Sequence, residues 1–184
     1  MGTELNTTHG PGRTDQTASD GTQRTNLSAS PLLHRLPWLD EGTATLLSAL
    51  VDDLARRHED VVAIILFGSI ARHEERPLHG SWPSDVDLLV LVDPPQAGAP
   101  TRQKRMSLEQ RIAIHHTIGE REYHSQTPTR AVQATLAEWD MTDWDTLFVA
   151  NVARDGALLW ARRPLPPALA ALTAQGAVFT ATLS

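Results

Sequence analysis

The sequence predicts an α/β fold, because two strongly apolar strand segments lie between longer segments with helical periodicity. The run at 61–67, VVAIILF, has seven consecutive apolar residues rich in β-branched types, which is typical of a strand buried on both faces. The run at 85–93, DVDLLVLVD, alternates its side chains between two faces and ends before two prolines. The sequence therefore predicts strands packed with helices around one core.

Residues 1–30 come first in chain order and are predicted to form a disordered tail. They are dominated by Thr, Gly, Ser, Asn and Asp, so they cannot bury enough apolar surface to offset the entropy lost on ordering. Apolar residues become frequent from Leu32 onward, and we expect the folded domain to span 31–163. The proline-rich start of 164–184 indicates a C-terminal tail that contains a short helix.

The remaining elements follow from periodicity and from stop signals. The segment 43–58 has apolar residues at positions 46, 47, 50, 51 and 54, the spacing of one helix face, and Asp40 or Thr43 can cap its start. The other predicted elements are a short helix at 70–75, a helix at 101–118 that stops at Gly119, a third strand at 129–135, a helix at 136–140, and a helix, turn and strand within 143–163.

Composition excludes several classes of protein. The chain has 184 residues and is 41% hydrophobic, yet no apolar segment is long enough to span a membrane and no secretory signal precedes the domain. The absence of cysteine excludes disulfides and thiolate metal sites, which is compatible with the cytoplasmic location that we expect. A net charge of −6 argues against a broad nucleic-acid-binding surface and favours a small molecule or a protein as the partner.

Asp85 and Asp87 are the first candidate functional residues, because side-chain alternation places both carboxylates on one face of the second strand. Two neighbouring carboxylates raise each other's pKa, and burial adds to the effect unless a cation lies between them. Mg²⁺ or Mn²⁺ would resolve this conflict, since hard oxygen ligands suit such ions. The alternative is a pair of aspartates that caps the strand at the surface.

Gly68 and Ser69, at the end of the first strand, supply what a phosphate group needs. Glycine lets backbone N–H groups approach closely, and the serine hydroxyl adds a donor. Arg72 follows in a predicted short helix whose N-terminus would favour an anion, so it is a candidate phosphate contact, although 73–76 also have the composition of a charged surface turn. We therefore predict a nucleotide-binding role for Gly68, Ser69 and Arg72.

The segments FGSIAR and SDVDLLVLV resemble the signature of the polymerase-β-type nucleotidyltransferase superfamily, most of all its small bacterial and archaeal members. The resemblance extends over about 46–162. It implies a mixed sheet flanked by helices, a nucleoside triphosphate held at Gly68 and Ser69, and metal ions on Asp85 and Asp87. In the family a third carboxylate often lies on the third strand, where Arg130 aligns in this chain. Either the alignment is displaced and Glu120 or Glu122 fills that role, or the site has two carboxylates.

The expected activity is transfer of a nucleoside monophosphate from an NTP, with ATP the expected donor, to an acceptor hydroxyl. The catalytic and metal-binding residues are Asp85 and Asp87, with Mg²⁺ or Mn²⁺ as cofactor. The resemblance further implies an antibiotic-like or protein acceptor, and a homodimer or a helical partner protein. The competing hypothesis is a non-catalytic, regulatory or antitoxin-like nucleotide-binding module that lacks the third carboxylate.

Overall fold

The two predicted apolar strands form the centre of the sheet. In the computed structural model, which describes residues 27–93, 106–141 and 143–180, they are β1 (Val61–Phe67) and β2 (Val86–Val92). Nearly every residue of both strands is buried, as their composition predicts. The predicted α/β class is confirmed, since these strands belong to a mixed sheet flanked by helices.

The four strands are arranged in the order β3-β2-β1-β4. Strand β1 pairs antiparallel with β2 on one side and with β4 (Ala157–Ala161) on the other. Strand β3 (Val132–Glu138) pairs parallel with β2 and forms one edge of the sheet. The ends of β1 and β2 that carry the candidate site residues therefore meet near the middle of the sheet, where Phe67 pairs with Asp87.

Helices cover both faces of this sheet. On one face α1 (Ser30–Arg35), α2 (Glu41–Arg57) and α4 (Leu108–Tyr123) pack against alternate residues of β1 and β2. On the other face lie α5 (Thr146–Asp155), a 3₁₀ turn at Pro167–Leu169 and α6 (Ala170–Gln175). Among the described residues, no helix combines the length and hydrophobicity needed to cross a bilayer.

Helix α2 confirms the amphipathic pattern of 43–58, with its start two residues earlier than predicted. Asp40 is its N-cap, because the side chain accepts a hydrogen bond of 2.8 Å from the Thr43 backbone N–H. The predicted helix at 70–75 is wrong in its bounds: α3 (Gly68–Ala71) begins at the glycine itself and ends after one turn.

The predicted bounds of α4 and β3 are also corrected. Helix α4 begins after Ser107, whose side chain forms a capping box with Gln110, and it continues through Gly119 to Tyr123. The part of the predicted helix at 101–105 lies outside the described residues. Strand β3 starts three residues later than predicted, and the predicted helix at 136–140 is absent because Leu136 and Ala137 pair with β2. Pairing with the buried strand β2 thus determines where β3 begins and ends.

Of the predicted C-terminal segment 164–184, the described residues up to 180 pack on the domain. The backbone N–H groups of Val178 and Phe179 donate to Leu158 and Leu159 of β4, at 2.9 and 2.8 Å. Phe179 is buried in the core beneath the sheet. At the other end, Leu27 packs partly against the same core, so packed residues extend before the predicted boundary at residue 31.

Candidate functional site

Asp85 directly precedes β2, and Asp87 is the second residue of that strand, next to the end of β1. Asp85 is exposed and Asp87 is half-buried. Asp87 pairs with Phe67, the last residue of β1, which brings its carboxylate beside the turn that follows. The structure thus brings together the two aspartates and the Gly68-Ser69 pair, as the sequence predicts.

Gly68 allows Asp87 to lie where it does. Its φ of +77° belongs to the left-handed region that favours glycine, and a methyl group on its Cα would overlap the Asp87 carboxylate, with Cγ only 3.0 Å away. Any larger residue would therefore displace either the backbone turn or the carboxylate. Ser69 follows directly, in the single turn of α3.

The surroundings of Asp87 disfavour the charged form of its carboxylate. Burial raises its pKa, the neighbouring charge of Asp85 raises it further, and the Arg72 guanidinium lowers it in part. A divalent cation between the two carboxylates would relieve both unfavourable effects. The residues fit Mg²⁺ in donor chemistry, because the ion takes one or two carboxylates and completes its shell with water and phosphate oxygens.

Arg72 lies within electrostatic reach of two acidic groups of the site. Its Nε donates to Glu74 at 2.7 Å, and its side chain is 39% exposed. Besides Asp87, it acts on Asp155 at the end of α5, whose pKa is lowered mainly by hydrogen bonds from Arg154 and to a smaller extent by the Arg72 charge. Arg154 and Asp155 thus border the site, although their sequence pattern is equally typical of a helix end.

The turn that carries Arg72 is held by a residue that the sequence does not single out. The Trp38 indole Nε1 donates to the Ile70 carbonyl at 2.9 Å, and its ring stacks on His73 with centroids 4.6 Å apart. His73 has a φ of +56°, so the chain reverses sharply there. Trp38 lies in the connection before α2, and no local sequence signal links it to this turn.

The expected alignment of Arg130 with the third carboxylate is wrong, because β3 begins at Val132. The residue paired with Asp87 in the parallel register is Gln133, so an amide lies beside Asp87 on β3. Arg130 precedes the strand and is directed elsewhere, with its guanidinium donating to the carbonyl oxygens of Arg76 and Ser84.

Glu120 and Glu122 do not complete the site either. Glu120 forms an ion pair with Arg57 at 3.0 Å, and Glu122 accepts a hydrogen bond of 2.7 Å from the Val132 backbone N–H. Both lie on α4, which packs on the sheet face opposite to that of Asp87. Within 27–93, 106–141 and 143–180, no group of three or more His, Asp or Glu side chains is arranged to hold a metal.

Comparisons with known proteins identify a family for this chain. A family model described as polymerase beta, nucleotidyltransferase matches residues 51–163. Among solved structures, the chain is similar to a toxin-antitoxin structure with AMP-PNP, at 18% identity, a TM-score of 0.37, and coverage of 62% of this chain and 72% of that one. It is also similar to a candidate nucleotidyltransferase from Sulfolobus solfataricus, at 16% identity, a TM-score of 0.39, and coverage of 73% and 87%. The comparison with curated proteins gave no match.

Proposed function

Because the chain belongs to the polymerase beta nucleotidyltransferase family, we propose that it transfers a nucleoside monophosphate from an NTP to an acceptor hydroxyl. The observation that carries the proposal is the contact of the Asp87 carboxylate with Gly68, next to Asp85 and Ser69 in the chain. This arrangement joins a pair of acidic oxygen ligands to a glycine turn where phosphate groups can approach the backbone.

Asp85 and Asp87 are the proposed ligands of Mg²⁺ or Mn²⁺. Such an ion, when bound, lowers the pKa of an attacking hydroxyl and neutralises charge on a triphosphate. The contribution of the protein is to hold Asp87 at the start of β2 and Asp85 just before it, close enough for the charge of Asp85 to act on Asp87. Burial and the charge of Asp85 raise the pKa of Asp87. A bound cation would counteract both effects, which supports the proposal of a metal site here.

The proposed triphosphate site consists of Gly68, Ser69 and Arg72. Arg72 supplies a cation that acts on Asp87, and its partial exposure allows it to exchange Glu74 for a phosphate oxygen. In the reaction, the acceptor oxygen forms a bond to the α-phosphorus, and the bond from that phosphorus to the bridging oxygen breaks. The leaving group is pyrophosphate, and the hydroxyl proton of the acceptor passes to solvent water.

The donor nucleotide and the acceptor are proposed on chemical grounds. ATP is the proposed donor, and the acceptor is a small molecule such as an antibiotic, or a protein. The net charge of −6 disfavours a nucleic-acid acceptor, because phosphate backbones need a positively charged surface. The residues proposed to form the catalytic domain are 31–163, either as a homodimer or with a helical partner protein.

A second candidate function is nucleotide binding without transfer, in a regulatory or antitoxin-like role. The observation that favours it is Gln133, which lies beside Asp87 where a third carboxylate would complete the site. An amide cannot accept the proton of an acceptor hydroxyl as a general base does. Both functions require NTP binding, and only the first releases pyrophosphate.

One experiment separates the two functions. The purified protein is incubated with each of the four NTPs, Mg²⁺ and cell extract, and the label is followed into small molecules and macromolecules. Labelled product with pyrophosphate, lost in Asp87→Asn, would establish transfer. Saturable NTP binding without pyrophosphate in any extract would favour the regulatory function.

A further inference from the structure

Hydrogen bonds join the two ends of the loop that leads into β2. We call residues 76–84 the insert loop. At its neck, the backbone N–H of Arg76 donates to Ser84 Oγ at 2.9 Å. The Arg130 guanidinium then donates through Nη1 to the Arg76 carbonyl at 2.6 Å and to the Ser84 carbonyl at 3.2 Å. One cation thus ties the first residue of the loop to the last.

Arg130 is itself fixed from behind. Its side chain is 5% exposed, and its Nε lies 3.5 Å from the Asp40 carboxylate, the N-cap of α2. A buried guanidinium is costly unless it finds acceptors or an opposite charge. Here Nη1 has two carbonyl acceptors, whereas Nε makes no hydrogen bond and instead faces the charge of the Asp40 carboxylate. The insert loop is therefore anchored to the N-terminal end of a long core helix.

The position of Asp85 follows from these contacts. Ser84, the preceding residue, is buried and bound by Arg130 through its carbonyl. Val86, the following residue, donates its backbone N–H to the Ala131 carbonyl at 2.8 Å, next to Arg130 in the chain. Asp85 is thus held between two fixed neighbours, both attached to the same short segment before β3.

We propose that Arg130 is a positioning residue, which sets the backbone of Asp85 by closing the insert loop and so keeps this carboxylate beside Asp87. The inference rests on the proposed function and gives a role to a residue that touches neither aspartate. Its donors face Asp40 and two carbonyl groups, so its contacts hold backbone and do not bind either aspartate side chain. Without it, the insert loop opens and Asp85 moves independently of Asp87.

The test compares Arg130→Met and Arg130→Lys with a matched control, Arg162→Met, in the full chain. Arg162 also donates to two backbone carbonyls, of Ala55 and Glu59 at the C-terminal end of α2. Mn²⁺ alone is titrated by electron paramagnetic resonance, and amide hydrogen exchange is followed in 76–86. We expect Arg130→Met to weaken Mn²⁺ binding at least tenfold and to speed exchange in the loop. Arg130→Lys should recover part of both, and Arg162→Met should change neither.

The outcomes distinguish this inference from the proposed function. Unchanged Mn²⁺ affinity in folded Arg130→Met, with wild-type binding that is lost in Asp85→Asn, overturns the positioning role alone. No Mn²⁺ binding by the wild-type protein overturns both. Should Arg130→Met fail to fold, Arg130→Gln takes its place, because an amide can donate a hydrogen bond in the buried site but lacks the length and the charge of the guanidinium that reaches both carbonyls. Unchanged exchange and affinity in that variant overturn the inference.

Discussion

Asp87 holds a charge in a place that disfavours it. Burial and the neighbouring Asp85 both raise its pKa, and Arg72 offsets this only in part. A native pKa above the unfolded value means that the folded state binds the proton more tightly. Stability from this group is then complete below the unfolded pKa, and it is lost as pH rises through the native pKa. The site therefore reduces the stability of the metal-free protein at neutral pH.

We expect Asp87→Asn to be more stable than the wild-type protein at pH 7 in the presence of a chelator. Asparagine keeps the shape of the side chain beside Gly68 but carries no charge to bury or to repel Asp85. The gain should grow as pH rises from the unfolded pKa of an aspartate through the raised native value. Urea unfolding at a series of pH values measures it, and a difference that does not change with pH contradicts the argument.

Ligand binding should reverse this order of stability. Mg²⁺ with ATP at a hundredfold excess over Kd adds about 2.7 kcal/mol to the free energy of unfolding. For a chain of this size, that corresponds to a rise in melting temperature of roughly 5–10 °C. Asp87→Asn should lose most of the rise, which differential scanning fluorimetry would show. An equal rise in wild type and variant would rule out a metal site at Asp87.

Substitution by alanine should have opposite effects on stability at two glycines, Gly68 and Gly119. Gly68→Ala should destabilise the protein by about 1–3 kcal/mol, because a left-handed φ and overlap with Asp87 both oppose a methyl group. Gly119→Ala should stabilise it by about 0.5–1 kcal/mol, because Gly119 lies inside α4 with nothing within 4 Å of the added atom. Denaturant midpoints measure both, and a loss of stability in Gly119→Ala would contradict the open helical site.

At the scale of elements, local patterns predict those parts of the fold whose burial is uniform. The runs that form β1 and β2, and the stripe that forms α2, are correct to within two residues, because each pattern reports its own environment. The bounds of β3 could not be read in the same way. Its sequence alternates weakly, and pairing with β2 decides where it starts.

Likewise, the sequence predicts those residues of the candidate site that lie next to the well-predicted strands, and it misses those held by contacts between distant segments. Gly68, Ser69, Asp85 and Asp87 lie next to strands that the sequence predicts well, so their proximity follows from two correct strands. Arg130 could not be placed, because its acceptor at Arg76 is 54 residues away in sequence. Trp38 gives no signal for the same reason, since it contacts Ile70 across 32 residues. Contacts between distant segments need the folded chain.

At the scale of the molecule, the structure indicates that residues from Leu27 onward contribute to stability. A chain that starts at Leu27 should melt within a degree or two of the full chain, because the composition of 1–26 offers no core. A chain that starts at Ala29 lacks the partly buried Leu27 and the Ser28 carbonyl that accepts from Ser48. We expect it to lose about 1 kcal/mol, or roughly 2–4 °C.

Thermal unfolding of the two shortened chains beside the full chain provides the measurement. Equal melting temperatures for the two would mean that Leu27 adds nothing to the core. A large loss in the chain that starts at Leu27 would show that residues before it contribute to stability, contrary to their composition.

The pairing of β1 with both β2 and β4 has a consequence for the chain while it is being made. Strand β2 follows β1 closely, but β4 comes roughly 65 residues after β2 ends. At about 5–20 residues per second, the ribosome needs about 3–13 s to reach it. During that interval the edge of β1 that β4 will occupy stays open, and an open apolar edge can pair with other chains. The interval in which nascent chains can misassemble therefore extends late into translation, after both aspartates and their glycine have been synthesised.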